Sequence, residues 1–148
     1  MKRFLLASTI LLSISLAHAQ VEVKDPWVRA TVPQQTATGA FMRLTSPTDA
    51  RLVSASSPVA AVVELHEMKM ENGVMKMRAV PAIEIPAGKG AELKPGGYHV
   101  MLMNLNAQMK EGGIVPITLV IESKDGKRET LEVKAPIRPL QTGSAVKH

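Results

Sequence analysis

Two short segments, His66-Glu67-Met68 and His99-Val100-Met101, each place a methionine two residues after a histidine. Six methionines fall between residues 68 and 103: Met68, Met70, Met75, Met77, Met101 and Met103. Thioether sulfur is a soft, neutral donor that prefers Cu(I), whereas imidazole accepts several metals. Zn²⁺ favours thiolate, imidazole and carboxylate, and Ca²⁺ and Mg²⁺ want hard oxygen, so a methionine-heavy set disfavours all three. Thioethers need no deprotonation, so such a set holds metal at mildly acidic pH until its histidines protonate. Around one Cu(I) it leaves a local charge of +1, which favours release to a thiolate-bearing or charged acceptor. Plainer roles compete. Methionine is a common gap-filler in cores, and Met42 and Met109 are read that way. A methionine face would also suit the gripping of a peptide.

Strand geometry is what would gather these residues. No segment after the first stretch holds a 3.6-residue apolar period, and short alternating runs recur between turn signals. The expected strands are Val21–Ala30, Gly39–Thr45, Arg51–Ser56, Ala60–Met70, Val74–Val80, Tyr98–Leu105, Ile114–Ser123 and Arg128–Ala135. Short apolar pieces at Ile83-Glu84-Ile85 and Leu93 interrupt a Pro- and Gly-rich stretch from 81 to 97. Seven to nine short strands predict an all-β Greek-key sandwich or small barrel in a single domain. Asn72-Gly73 is a strong signal for a two-residue type I′ turn. That turn sets Met70 against Met75, Met68 against Met77 and His66 against Ala79. One hairpin face then carries His66, Met68, Met70, Met75 and Met77, and the other carries Glu67, Lys69, Lys76 and Arg78. Opposed residues and residues two apart share a face, and a slip of one would mix the two sets. The same alternation points His99, Met101 and Met103 one way, and Val100 and Leu102 into the core.

The N-terminus reads as an export signal. Lys2 and Arg3 precede an apolar run from Phe4 to Leu16, and Ala17-His18-Ala19 has the small-x-small form of a cleavage site. The run is too short for a membrane span, which needs about 20 apolar residues. Residues 1–19 are therefore expected to be cleaved, 20–135 to form the domain and 136–148 to be a flexible tail. No later stretch is a candidate span. Without Lys2 and Arg3 the net charge falls to about +3. The basic residues are spread along the chain, and one Trp, one Tyr and two Phe are too few for a base-stacking surface. Nucleic-acid binding is not expected. The chain has no cysteine, which excludes disulfides, thiol chemistry and thiolate metal sites. No Ser-His-Asp spacing, phosphate loop or carboxylate pair points to an enzyme.

At these residues the chain resembles the periplasmic PCu(A)C copper chaperones (the DUF461 type). That family's motif is a His, about ten residues, a Met, about twenty-one residues, then His-x-Met. Here ten residues separate His66 from Met77, and twenty-one separate Met77 from His99-Val100-Met101. The flank from Leu93 to Leu102, with Lys94-Pro95-Gly96-Gly97-Tyr98, is similar to the family's most characteristic stretch. Asp25-Pro26-Trp27-Val28-Arg29-Ala30 and Gly39-Ala40-Phe41-Met42 resemble its N-terminal strands. The likeness runs from about residue 21 to 135.

The resemblance implies a cupredoxin-like sandwich with Cu(I) held near the surface by His66, Met77, His99 and Met101. Met68, Met70, Met75 and Met103 then become auxiliary ligands or a shielding rim. Cu(II) is a weaker second cargo, since the His/Met-rich C-terminal extension of some members has no counterpart before Lys147-His148. The family association implies a monomeric periplasmic metallochaperone that supplies the Cu(A) centre of cytochrome c oxidase, with a Sco-type protein or an oxidase subunit as acceptor. The alternatives are Cu(I) sequestration for tolerance and, further off, a β-sandwich protein-binding module. Trp27 and Tyr98 are expected to pack in the core or at its rim. Gly96-Gly97 is expected to shape the loop that presents His99.

Overall fold

A computed structural model describes residues 21–139. The expected signal and the tail beyond 139 lie outside the described residues. Ten strands and no helix occur among them: β1 (Glu22–Arg29), β2 (Ala37–Thr45), β3 (Ala50–Ser56), β4 (Ala60–Glu71), β5 (Val74–Ala79), β6 (Ile83–Ile85), β7 (Ala91–Leu93), β8 (Tyr98–Leu105), β9 (Ile114–Ser123) and β10 (Arg128–Arg138). The count exceeds the expected seven to nine because β6 and β7 are separate strands. Each has three residues, too few to show an alternation, and each exists through its partner, β3 for β6 and β2 for β7.

The last strand also runs three residues past its expected end at Ala135. Pro136 has no N–H to give, yet it faces Ile114 within the β10–β9 ladder. Ile137 donates its N–H to Gly113 O at 2.8 Å and is buried, and Arg138 O accepts from Ala30 N–H at 2.8 Å. Residues 136–138 thus belong to the sheet and not to a loose tail. Pro136 is a tolerated interruption near the strand end.

The strand order is β5-β4-β8-β7-β2-β1-β10-β9-β3-β6, with β2 also pairing β8 directly. Only β1–β10 and β7–β8 pair in parallel. A single buried cluster draws on both ends of this order: Leu52, Ile83 and Ile85 from β3 and β6, Leu65 from β4, and Val100 and Leu102 from β8. The sheet is therefore folded over one core, giving the expected cupredoxin-like Greek-key sandwich. Each fully buried Leu or Ile contributes about 1.5–3 kcal/mol. The core must supply the stability, because there is no disulfide. Met42 and Met109 are buried in it, as expected.

What matters for the site is the outer face of the β5-β4-β8-β2-β1 layer. The β4–β5 hairpin turns at Asn72 (φ 50°) and Gly73 (φ 77°), the two positive φ values of a type I′ turn. Its register is the expected one, with Met68 opposite Met77, Met70 opposite Met75 and His66 opposite Ala79. β5 is the exposed edge of the layer, and Arg78 is paired with Glu67 of β4 on its polar face.

Candidate metal centre

β8 lies between β4 and β2, and its alternation does the sorting. Val100 and Leu102 are fully buried in the core, which turns His99, Met101 and Met103 outward. Toward β4, His99 faces His66, Met101 faces Glu64 and Met103 faces Val62. Toward β2, Met101 faces Gly39 and Met103 faces Ala37. The two histidine rings sit side by side, with centroids 5.7 Å apart and planes inclined by 53°. Although it points away from the core, His99 is only 4% exposed.

A cleft of about 250 Å³ opens on this face, lined by Met68, Met77, His99 and Met101 together with Phe41 and Arg29. Three of the four residues implied as ligands thus share one cleft wall. The fourth, His66, lies against His99 on the same face without lining the cleft. Met68, an auxiliary candidate, is inside the cleft. Met70 and Met75 form an exposed pair at the hairpin end, and Met103 is two residues beyond Met101 along β8.

The imidazole nitrogens are sorted as well. His99 Nδ1 lies 3.2 Å from Gly97 O. A carbonyl only accepts, so Nδ1 carries the proton and Nε2 keeps its lone pair. His66 Nε2 lies 2.7 Å from Glu64 Oε2. A carboxylate also only accepts, so in the neutral ring Nε2 carries the proton and Nδ1 keeps the lone pair. Both lone-pair nitrogens, His99 Nε2 and His66 Nδ1, are buried without a hydrogen-bond partner. An unsatisfied buried polar group costs about 1–3 kcal/mol, so two on adjacent rings call for a physical reason.

Burial pushes the His99 pKa down, the Gly97 hydrogen bond resists this, and His66 and Arg29 push the same way as burial. The lowered pKa favours the neutral ring, which is its metal-binding form. Gly97 anchors the loop, since its carbonyl also accepts the Met68 N–H at 3.2 Å. Gly96 holds a φ of 86°, the left-handed turn that brings Gly97 there. Trp27 and Tyr98 are rim residues, as expected: Trp27 packs on Phe41, and Tyr98 is 39% exposed beside Glu67.

Sequence reasoning passed over two neighbours of the histidines. Glu64 was findable, because it precedes His66 by two residues and so shares its face. Phe41 was not, because its place depends on the β2–β8 pairing. A Cβ at Gly39 would come within 2.8 Å of Phe41 Cζ. The ring therefore lies across Gly39, with its centroid 6.1 Å from that of His99. Arg29 lies 5.5 Å from the Phe41 centroid and Arg138 lies 5.3 Å from that of Trp27. Among the described residues neither arginine has an ion-pair partner, and Arg29, which lines the cleft, gives it a positive edge.

Known proteins share the sequence and the fold of this chain. The family model described as "Putative lipoprotein LpqE-like" matches residues 21–137. A curated protein named "Putative lipoprotein Lxx21020", from Leifsonia xyli subsp. xyli (strain CTCB07), is 35% identical over 119 residues, 80% of this chain and 69% of its own length. The solution structure of CuI-DR1885 from Deinococcus radiodurans is 36% identical, with a TM-score of 0.60 over 82% of this chain and 81% of that one. The copper-bound PCuAC domain from PmoF2 has a TM-score of 0.64 at 23% identity, covering 80% of this chain and 92% of that one, and speaks to the fold alone. On the family match and the curated relative, the chain belongs to the LpqE-like (PCuAC) family, and it shares the fold of PCuAC domains.

Proposed function

We propose that this protein is an exported Cu(I) metallochaperone that holds one copper ion through His66, Met77, His99 and Met101. The observation that carries the proposal is the pair of buried imidazole nitrogens without partners, on a face shared with three thioethers of one cleft. A soft monovalent cation is the partner that satisfies both kinds of donor. Among the described residues no group of three or more His, Asp or Glu is placed to hold a metal, so thioether donors have to complete the set. The copper-loaded state of a 36% identical relative supports the cargo. The lipoprotein name of another relative supports export.

The ligands suit transfer. Met77 sits on the edge strand and is 47% exposed, so an acceptor's ligands can reach the metal from that side while the histidines still hold it. We assign delivery toward the Cu(A) centre of cytochrome c oxidase, through a periplasmic acceptor of Sco type or an oxidase subunit. Loss of oxidase activity under copper limitation in a deletion strain is expected. Copper sensitivity alone would instead mark sequestration.

The site itself is tested by titration against a chromophoric Cu(I) chelator. The parent protein should take up one Cu(I) per chain, and the His66→Ala/His99→Ala variant should lose tight binding. Equal affinity in the double variant would place the metal elsewhere.

A further inference from the structure

We propose that Glu64 is a positioning residue that commits the Nδ1 nitrogen of His66 to the metal, so that the two imidazoles of the site bind through different nitrogens. This rests on the Cu(I) reading above. Glu64 precedes His66 by two residues on β4 and opposes Met101 across the β4–β8 ladder, so it stands beside two of the four proposed ligands. Its Oε2 is 2.7 Å from His66 Nε2, and His66 is its only ion-pair partner among the described residues. The geometry of the ring follows from that bond. With Nε2–H held by the carboxylate, only Nδ1 has a lone pair to offer, and Nδ1 is the atom left buried and unpartnered. His99 has the reverse arrangement, with Nδ1–H on the Gly97 carbonyl and Nε2 unpartnered.

Glu64 itself is a poor candidate ligand, because Cu(I) avoids hard oxygen donors. Its contribution is orientation and donor strength. A hydrogen bond from a ligating imidazole to a carboxylate fixes the ring and raises the basicity of the metal-bound nitrogen. The carboxylate is 45% exposed and the His66 side chain 12%, so an aqueous partner can replace the carboxylate in a variant without opening the core. The negative charge also lies next to the cargo. The sequence alone suggested a neutral ligand set with a net charge of +1; with Glu64 attached to a ligand, that charge is balanced locally.

The test uses ¹⁵N-labelled full-length protein and long-range ¹H–¹⁵N correlation of the histidine rings, since Cu(I) is diamagnetic. In the metal-free parent, His66 should show a protonated Nε2 and His99 a protonated Nδ1. On Cu(I) addition the shifts should move at His66 Nδ1 and His99 Nε2. Glu64→Ala frees the ring, so copper should be met by Nε2 of His66 or by a mixture, and affinity should fall about 10- to 100-fold. Glu64→Gln keeps an oxygen that accepts from Nε2–H, so the parental nitrogen and most of the affinity should return. Binding through Nε2 in the parent, or unchanged nitrogen and affinity in Glu64→Ala, would overturn the positioning role while leaving the Cu(I) reading intact. A parent that binds no Cu(I), with the metal-free ring states as described, would instead overturn the Cu(I) reading and with it any ligand role for Nδ1.

Discussion

At the scale of single residues, the site is built from side chains whose polar atoms are left incomplete by the fold. His99 shows this most clearly. It faces outward on β8, yet the hairpin and the Phe41 ring bury it, and burial lowers its pKa. The sign of the consequence can be worked out. In the unfolded chain the ring protonates near the ordinary histidine value of about 6.5, while the folded ring resists protonation. As pH falls below that value the unfolded state binds the extra proton first, so the metal-free protein loses stability. Above about pH 7 both states are neutral and the effect vanishes. Chemical denaturation of the metal-free protein between pH 7.5 and 5 should show a falling midpoint, and His99→Gln should flatten that slope. A parental midpoint that is flat or rises on acidification would show that the ring is not held neutral.

At the scale of elements, the β4–β5 hairpin was legible in the sequence because its register is local. Asn72-Gly73 fixes the turn, and a two-residue turn fixes every opposed pair from Glu71–Val74 to His66–Ala79. The outward set of β8 was legible for the same reason, since alternation needs no partner. What joins the two halves was not legible from residues alone. The opposition of His66 to His99 is a β4–β8 pairing between distant segments, and it was the family spacing that brought these residues together. Phe41 stayed hidden because Gly39 had to be read as room for a ring, which only the folded chain shows. The turn also yields a test. Gly73 sits at φ 77° with nothing near its missing Cβ, so Gly73→Ala pays only the left-handed backbone cost of about 1–2 kcal/mol. Because β5 is an edge strand, local fraying should remove Met77 before the core opens. Cu(I) affinity should therefore fall in this variant while the thermal midpoint of the metal-free protein moves only by a few degrees. Unchanged affinity would mean that Met77 is not needed.

At the scale of the molecule, the sandwich is a rigid support that keeps its chemistry on one outer face. One core without disulfides holds β8 from behind through Val100 and Leu102. The front of the same strand, with β4 and β5, presents nitrogen and sulfur donors at the surface. Arg29, stacked on Phe41, gives the cleft a positive edge. The proposed carrier role needs this combination: donors fixed well enough to bind, and one of them exposed enough to hand over. The most direct measurement is X-ray absorption on the Cu(I)-loaded protein. The account predicts one copper per chain with both sulfur and nitrogen scatterers in its first coordination sphere. A spectrum of nitrogen and oxygen neighbours alone, with no sulfur, would contradict it.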